Sequence, residues 1–395
     1  MFERKRAWIV ALIAALALVG AGCSNDDNGG GSTGATGGGS SGGGSKGSIW
    51  VLLPDTTSSP RWETDDRKYF GQAFDAAGLS EGDDYTIVNA EGDPATQQSQ
   101  AEQAIADGAS VIVLTSLDPG SGGAIIDTAK EAGVQVVEYD RFNTGSSGGA
   151  AYVSFDNVAV GATMADVLTP KIDALPGTPA VVELNGCECD NNAFLFRDGY
   201  NATVEQKVSA GDWSLVDDQY TPNWGSNGEG QTIMEQILTD ANNKVDAVFA
   251  ANDNLAQQAI NALQAAGVGP VPMSGQDASA AGIQNIALGL QTMTVYKPTQ
   301  AESAVASAVA LALQAGDDIM SITSDFDFTI IGINAADGKP ADSPTGDGVV
   351  PYFAEVPIGV TVDNIMDTVI ADGYRTMDEV CTGDVLKTDF CKANA

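Results

Sequence analysis

The feature that most constrains the fold of this 395-residue chain is a regular alternation of short apolar runs with longer amphipathic segments. The runs at residues 49–53, 85–88, 111–114 and 134–139 are mostly apolar, and the segments between them repeat apolar residues at helical spacing. Strands that are apolar on both faces are typical of a parallel sheet covered by helices, with right-handed crossovers. The sequence therefore predicts a doubly wound α/β lobe.

The same alternation restarts after residues 154–157 and continues to residue 291, which predicts a second lobe of similar build. Residues 292–325 contain one more strand and a long alanine-rich helix, more than the second sheet needs, and we assign them to the first lobe. The predicted N-terminal lobe is 48–156 with 292–325, the C-terminal lobe is 157–291 with 326–380, and 381–395 form a tail. Two α/β lobes joined by several crossings form a hinge that can close around a ligand.

The first 47 residues have the pattern of an export signal followed by a flexible tether. Arg4, Lys5 and Arg6 precede an apolar run at 7–19 that is too short to span a membrane, as in an export signal. The string at 20–23, which ends in Cys23, resembles a bacterial lipobox. We expect residues 1–22 to be a lipoprotein signal peptide and Cys23 to be lipidated, with a simple cleaved secretion signal as the alternative. Residues 23–47 are rich in Gly and Ser, which favours a flexible tether, and we expect the protein to be anchored at the outer face of the bacterial cell membrane.

Charge and composition exclude several classes of function. The formal net charge is −35, and nucleic-acid binding needs a basic face, so we expect no nucleic-acid partner. The chain has no histidine, which excludes Ser-His-Asp and Cys-His catalysis and most zinc sites. We expect no enzymatic activity, no cofactor and no metal, and we interpret the acidity as solvation.

The chain has five cysteines, and lipidation of Cys23 would leave four in an exported protein. An even number in that setting favours disulfides, and three connectivities are formally possible. We expect the two local pairs, Cys187 with Cys189 and Cys381 with Cys391. The alternative, a metal site, is disfavoured because one C-x-C and two distant cysteines lack the paired C-x-x-C spacing.

Polar and aromatic side chains follow many of the predicted strands, starting with Asp140 and Arg141 after the fourth strand. Ligands of open α/β sheets bind outside the carboxyl ends of the strands, although an adjacent Asp and Arg can also be an idle surface pair. The other candidates are Arg61, Trp62, Asp190, Asn191, Asn192, Trp224, Asn252, Asp277 and Lys297. Carboxylates, amides and cations match sugar hydroxyls, and tryptophans cover the faces of a sugar ring. The alternatives are helix caps for the aspartates and core positions for the tryptophans.

Seven short strings in order carry a resemblance to a known family. They are Arg61-Trp62 with Asp65, Tyr139-Asp140-Arg141, Ser154-Phe155-Asp156-Asn157, Asp190-Asn191-Asn192-Ala193, Asn252-Asp253, Ser274-Gly275-Gln276-Asp277-Ala278 and Gln291-Thr292-Met293-Thr294-Val295-Tyr296-Lys297-Pro298. From residue 47 to 377 the chain resembles the type I periplasmic sugar-binding proteins of ABC importers, and within them the D-xylose-binding branch. Cys187-Glu188-Cys189 departs from the small and proline residues expected there.

The resemblance implies the type I periplasmic binding protein fold and a role for each candidate. Hydroxyls would be bound by Arg61, Asp140, Arg141, Asp190, Asn192, Asn252, Asp277 and Lys297, with Asn191 sharing the role of its neighbour. Trp62 and Trp224 would sandwich the ring. The implied ligand is a monosaccharide, D-xylose first, with glucose, galactose or arabinose as alternatives, and the implied partner is an ABC permease. We expect a monomer.

Three other functions fit parts of the same pattern. A sugar sensor that docks on a chemoreceptor or kinase would have the same two lobes. A secreted glycosidase would need a catalytic carboxylate pair about 5–10 Å apart. This function is disfavoured because each candidate carboxylate can instead bind a hydroxyl of the sugar. A sugar-responsive DNA-binding repressor shares the two-lobe body but is disfavoured by the export signal, the acidity and the lack of a helix-turn-helix headpiece.

Overall fold

The computed structural model describes residues 47–394. The predicted signal peptide at 1–22, the lipidation of Cys23 and all but the last residue of the tether lie outside the described residues. Within residues 47–394, no helix is both long enough and apolar enough to cross a membrane.

The described residues form strands and helices in alternation over most of their length. The strands are Ile49–Leu53 (β1), Tyr85–Asn89 (β2), Val111–Leu114 (β3), Gln135–Tyr139 (β4), Ala151–Phe155 (β5), Ala180–Asn185 (β6), Ser214–Tyr220 (β7), Ala247–Ala250 (β8), Thr294–Tyr296 (β9), Phe328–Asn334 (β10), Pro340–Ala341 (β11), Val349–Glu355 (β12) and Ile358–Val360 (β13). The α-helices are Arg67–Ala76 (α1), Pro94–Ala106 (α2), Pro119–Glu131 (α3), Asn157–Ile172 (α4), Asn191–Ala210 (α5), Glu229–Asp240 (α6), Asp253–Ala265 (α7), Ala280–Ala287 (α8), Thr299–Ala315 (α9), Met377–Val380 (α10) and Asp389–Ala393 (α11). A short helical turn at Trp62–Asp66 precedes α1.

The large sheet has eight strands in the order β11-β10-β12-β5-β4-β3-β1-β2. The strands from β12 to β2 run parallel, and β10 and β11 extend the sheet in the antiparallel sense. Strands β1 and β3 are buried along their whole length, as their continuous apolar sequences predict. The mixed α/β class with a mostly parallel central sheet is therefore confirmed.

The remaining strands form two smaller sheets. Parallel strands β7-β6-β8 form one, and the antiparallel pair β13-β9 forms the other. Isolated bridges from Val248 to Met273 and from Gln276 to Val295 connect β8 with β9. The chain passes between the large sheet and the small sheets after β5, after β9 and after β12. Three crossings of this kind are what the sequence predicts.

The third crossing lies later in the chain than expected, which corrects part of the predicted lobe assignment. The prediction that residues from 326 onward return to the second lobe is wrong for 328–355, because β10 and β12 pair with each other and β12 pairs with β5 of the large sheet. The strand at 292–296 likewise belongs with the small sheets, because β9 pairs with β13 and bridges residue Gln276. Helix α9 packs on the large sheet as expected, with Val305 and Val309 in one buried apolar cluster with Val113 of β3 and Val153 of β5.

Polar side chains fix the starts of the helices that border the strand ends. Asp156 caps α4, Asp190 caps α5 and Asn252 caps α7, each by accepting a hydrogen bond from a backbone N–H in the first turn. Proline is the first residue of α2 and of α3, where its missing N–H costs nothing. These caps place the polar helix starts beside the carboxyl ends of the strands.

Both predicted disulfides are present in the described residues, and their connectivity is the local one. Cys187 is bonded to Cys189 in the loop between β6 and α5. Cys381 is bonded to Cys391 and joins α10 to α11 near the end of the chain.

Candidate functional site

A cavity of about 330 Å³ is lined by residues that follow strands of the large sheet and of the small sheets. Its lining consists of Ser58, Ser59, Arg61, Trp62, Asp140, Arg141, Asp190, Asn192, Phe196, Trp224, Asn252, Gln276, Asp277 and Lys297. The structure thus brings together all of the predicted site residues except Asn191.

Lys297 joins the two sides of the cavity. It follows β9, and its Nζ lies 3.4 Å from Oδ2 of Asp140 and 3.6 Å from Oδ1 of Asp277. Asp277 in turn accepts a hydrogen bond of 3.3 Å from the hydroxyl of Ser59, in the loop after β1. Lys297 and Asp140 are almost fully buried, whereas the side chain of Asp277 retains 14% exposure. A cation therefore lies between two carboxylates that belong to different sheets.

The guanidinium of Arg61 is the centre of a buried carboxylate cluster. It donates to both carboxylate oxygens of Asp66 at 2.7 and 2.9 Å, to Asp140 at 2.9 Å and to Glu302 at 2.6 Å. Burial opposes the charge of Arg61, but Asp66, Glu302 and Asp140 outweigh it and raise its pKa. Since four of the five N–H bonds have a protein acceptor, only one remains for a ligand. Arg61 therefore serves mainly to bind and orient the carboxylate of Asp140.

Arg141 lies on the other side of Asp140 and has fewer partners. Its Nη1 donates to the carbonyl of Ser116 at 3.0 Å, and its Nη2 donates to the hydroxyl of Ser58 at 3.0 Å. Its Nε is 3.3 Å from Oδ2 of Asp190, so the ion pair joins the residue after β4 to the cap of α5. Nη1 and Nη2 of Arg141 are therefore held in fixed directions at the edge of the cavity, whereas its buried Nε has no hydrogen-bond partner within residues 47–394.

The ionisation of Asp140 and Lys297 follows from their mutual charges. Burial alone would raise the pKa of Asp140, but Lys297, Arg61 and Arg141 lower it to about 2. Burial lowers the pKa of Lys297, but Asp140 and Asp277 outweigh this effect and the net shift is upward. Both side chains are therefore charged at neutral pH, and the site offers a true carboxylate and a true ammonium group.

Asp140 also has an unusual backbone. Its φ is 61°, in the left-handed region, where a residue with a side chain needs support from its surroundings. Its carbonyl oxygen accepts from the hydroxyls of Tyr152 and Ser154 and from Nδ2 of Asn192, at 2.7, 3.1 and 2.6 Å. This conformation turns the carboxylate toward Arg61 and Lys297, and the backbone of Asp140 is thereby locked to α5.

On the side of the small sheets, capping and cavity lining are combined in the same residues. Asp190 accepts from the N–H of Asn192 at 2.9 Å and also pairs with Arg141. Asn252 accepts from the N–H of Leu255 at 2.8 Å while lining the cavity. The helix-cap alternative is thus correct for Asp190, and Asn252 is a cap that the sequence analysis did not propose; both residues also line the cavity.

The two tryptophans differ in how they are held. Trp62 stacks near two cations, with the guanidinium carbons of Arg61 and Arg141 4.5 and 5.4 Å from its ring centroid, and its Nε1 donates to Ser58 at 3.2 Å. Trp224 packs against Phe196, with the ring centroids 6.2 Å apart. Its buried Nε1 has no hydrogen-bond partner within residues 47–394. A buried N–H without a partner is costly, so Trp224 offers the cavity an unused donor.

Asn191 lies outside the cavity lining, which corrects its predicted share in ligand binding. Its Nδ2 donates to the carbonyl of Gly338 at 3.1 Å, in the turn between β10 and β11. Asp190 is the extended N-cap of α5, whereas Asn191 and Asn192 are helical and their side chains point about 100° apart, so Asn191 faces away while Asn192 lines the cavity.

Sequence reasoning omitted Ser58, Ser59 and Phe196 from the site. Gln276 follows a predicted strand together with Asp277 and lines the cavity, although the resemblance implied no role for it. The two serines precede Arg61 in the long loop after β1. Phe196 lies inside α5 and has no sequence signal that separates it from a core residue.

The lining as a whole suits a small neutral molecule with many hydroxyl groups. The lining contains three carboxylates, Asp140, Asp190 and Asp277, and three cations, Arg61, Arg141 and Lys297, so the formal charges of the lining residues are equal in number. Charged donors and acceptors form the stronger hydrogen bonds to hydroxyls, and Trp62 and Trp224 supply flat apolar surfaces.

Comparisons with known proteins agree with this chemistry. A family model described as "Periplasmic binding protein domain" matches residues 50–318. The chain is 35% identical over 323 residues to the D-xylose-binding periplasmic protein of Escherichia coli (strain K12), covering 81% of this chain and 88% of the relative. It is 28% identical over 346 residues to the multiple sugar-binding periplasmic protein SbpA of Azospirillum brasilense, covering 84% and 90% of the two chains.

A solved structure is similar over nearly the whole described region. It is a carbohydrate transporter solute-binding protein from Chloroflexus aurantiacus in complex with D-glucose, with a TM-score of 0.71 and 28% identity. The match covers 84% of this chain and 97% of that chain.

Proposed function

Since the chain belongs to the periplasmic binding protein domain family, we propose that it captures a monosaccharide, D-xylose before other sugars, and delivers it to an ABC permease. The single observation that carries this proposal is the cavity lined from both sheets by charge-balanced polar groups and two tryptophans. A ligand with a net charge would bring a charge into a buried site without a counter-charge among the lining residues, which is costly.

The match between cavity and sugar has two parts. Asp140, Asp190 and Asp277 accept from hydroxyls, while Arg141, Lys297 and the unpartnered Nε1 of Trp224 donate to them. The faces of a sugar ring carry C–H groups, which pack on aromatic rings, and Trp62, Trp224 and Phe196 provide such rings.

The choice of D-xylose rests on the named relative from Escherichia coli, which covers most of the chain at 35% identity. Glucose is the first alternative, because the solved structure from Chloroflexus aurantiacus holds D-glucose. Arabinose and galactose are further alternatives, and a sensor for the same sugar would use the same cavity with a different docking partner.

Isothermal titration of the purified protein with D-xylose, glucose, arabinose, ribose and galactose tests the proposal. We expect D-xylose to bind most tightly. Tighter binding of glucose would change the substrate and keep the function, whereas no heat of binding with any monosaccharide would contradict the function itself.

We further propose that the protein works outside the cytoplasm, attached to the membrane by lipid on Cys23 and by the Gly- and Ser-rich tether. Such a tether behaves as a flexible coil and lets the folded part move just above the membrane. Cell fractionation tests this: Cys23→Ser should move the protein from the membrane fraction to the soluble extracytoplasmic fraction. Equal membrane association of the Cys23→Ser variant would contradict the lipid anchor.

A further inference from the structure

The loop at 186–190, between β6 and α5, connects two parts of the cavity lining and carries a disulfide in its middle. Gly186 at one end lies against the ring of Trp224, where a Cβ atom would come within 2.3 Å of the ring carbons. Asp190 at the other end caps α5 and pairs with Arg141. The bond between Cys187 and Cys189 lies between these two contacts.

The contacts within the loop fix the direction in which Asp190 leaves it. The N–H of Asp190 donates to the carbonyl of Cys187 at 3.0 Å, and the N–H of Cys189 donates to Sγ of Cys187 at 3.1 Å. Cys187 is buried in the same apolar cluster as Trp224 and Phe196, and Cys189 packs against that cluster. The disulfide thus joins the backbone turn before Asp190 to the apolar support of Trp224.

The loop also reaches the segment that carries Trp224. The carbonyl of Gly186 accepts from the N–H of Thr221 at 3.0 Å, three residues before Trp224. Asn223 and Trp224 both have left-handed φ values, 48° and 56°, so their conformation depends on neighbouring support. A shift of the loop would therefore displace Trp224 and Asp190 together.

We propose that the Cys187–Cys189 disulfide is a positioning element that holds Asp190 and Trp224 in ligand-binding geometry and thereby sets the affinity of the site. This inference rests on the proposed function. Without the covalent link, several backbone and side-chain dihedrals of the loop regain freedom, and ligand binding must order them again. The intact disulfide makes that ordering part of folding and removes it from the binding step.

Opening the link is a two-electron reduction. A dithiol reagent supplies two electrons and two protons, the S–S bond breaks to give thiols on Cys187 and Cys189, and the reagent closes into its own cyclic disulfide. Reoxidation reverses the reaction, so the same protein can be measured in both states.

The second disulfide provides a matched control. Cys381 and Cys391 lie in an apolar cluster with Val380 and Phe390, and neither cysteine lines the cavity. Removing this pair changes the anchoring of the last helices and leaves the loop at 186–190 untouched.

The test compares sugar affinity, by isothermal titration, in C187A/C189A, C381A/C391A and the native protein. We expect the affinity of C187A/C189A to fall about tenfold and that of C381A/C391A to stay at the native value. Dithiol treatment of C381A/C391A should produce the same loss, reoxidation should restore the affinity, and dithiol should not change C187A/C189A. Equal affinity in C187A/C189A and the native protein would overturn the positioning role.

A second measurement does not depend on sugar. Hydrogen exchange of the amides at 186–193 in the ligand-free protein should speed up when C381A/C391A is reduced and should return on reoxidation. If the native protein binds no monosaccharide, the proposed function is wrong. The positioning role of the disulfide is then tested by hydrogen exchange at residues 186–193 alone. Unchanged exchange on reduction would then refute it.

Discussion

The two sides of the cavity are built differently. The large-sheet wall, which we define as Arg61, Asp140 and Arg141, is held by buried ion pairs and by hydrogen bonds to main-chain carbonyls. The small-sheet wall, defined as Trp224, Asn252 and Asp277, has fewer partners. Trp224 has an unpartnered Nε1 within the described residues, and Asp277 has protein contacts of 3.3 and 3.6 Å and retains some exposure.

This difference implies a division of labour. Groups of the large-sheet wall are mostly paired when the protein folds, with Nε of Arg141 as the exception within the described residues, so they contribute to stability as well as to the shape of the site. Groups of the small-sheet wall keep hydrogen-bonding capacity that only a ligand uses. Substitutions in the large-sheet wall should therefore act on stability as well as on affinity, and substitutions in the small-sheet wall mainly on affinity.

The largest expected effect is that of Arg61→Met. It leaves Asp66, Asp140 and Glu302 buried near one another without their shared cation. Breaking a buried ion-pair network from one side costs about 3–5 kcal/mol. Urea unfolding should show this loss.

Arg67→Met is the matched control, because Arg67 and its partner Glu63 form a pair that is about one-third exposed. Exposed pairs of this kind contribute about 0–1 kcal/mol. Similar losses for both variants would contradict the special role of the Arg61 network.

Next in size are the effects on affinity of Trp224→Ala and Asp277→Ala. Each should weaken sugar binding by about 1–3 kcal/mol, through lost stacking or through ligand groups left unpaired. Isothermal titration measures the change. Trp213→Phe is the control: Trp213 is buried in the core, and its Nε1 donates to Asp173 rather than to the cavity.

We expect Trp213→Phe to lower the thermal unfolding midpoint and to leave affinity at the native value. If Trp224→Ala and Asp277→Ala also lowered only stability, the small-sheet wall would not be a binding surface.

A smaller effect on the free energy of unfolding is expected from pH, through the ionisation of Glu138 in β4. Glu138 is buried and accepts from the N–H and Nδ2 of Asn143 and from the N–H of Gly149. Burial raises its pKa to about 7, although these hydrogen bonds oppose the shift. Because the folded-state pKa exceeds the unfolded value, this contribution to stability is complete below about pH 4.5 and is lost as pH rises through 7.

The contribution of Glu138 to the slope is at most about 1.4 kcal/mol per pH unit. Urea unfolding at several pH values should show a shallower slope for Glu138→Gln than for the native protein, even though the variant loses a carboxylate acceptor at Gly149. Identical slopes would assign the pH dependence to other buried carboxyl groups.

Simple rules of sequence predicted the parallel sheet and most of the cavity. Strands β1, β3 and β4 were recognisable because they are apolar, and the residues that follow strands in a parallel sheet meet at one edge. The antiparallel extension was missed for a physical reason. Gly332 pairs with Pro351 in the middle of β10 and β12, and both residue types are rare in strands.

The rest of the site depends on the orientation of side chains within helices. Phe196 lines the cavity from within α5, while Asn191 at the start of the same helix turns away from it. A sequence string gives the order of residues and leaves the rotation of the helix open, which the packing of α5 on α4 decides. The role of Arg61 also depends on packing, because Glu302 reaches it from a helix far along the chain.

The smallest expected effect is that of Asn191→Ala, and it tests the boundary of the site. Asn191 donates to the carbonyl of Gly338 and does not line the cavity, whereas its neighbour Asn192 lines the cavity and holds the carbonyl of Asp140. We expect Asn191→Ala to change sugar affinity by less than about 0.5 kcal/mol and stability by about 1 kcal/mol, the usual value of one hydrogen bond. Asn192→Ala should weaken binding clearly, because it removes one of the three hydrogen bonds that hold the left-handed backbone of Asp140 as well as a side chain of the cavity lining. Equal losses of affinity for the two variants would show that the start of α5 acts on the ligand as a whole, and the small-sheet wall would then have to include Asn191.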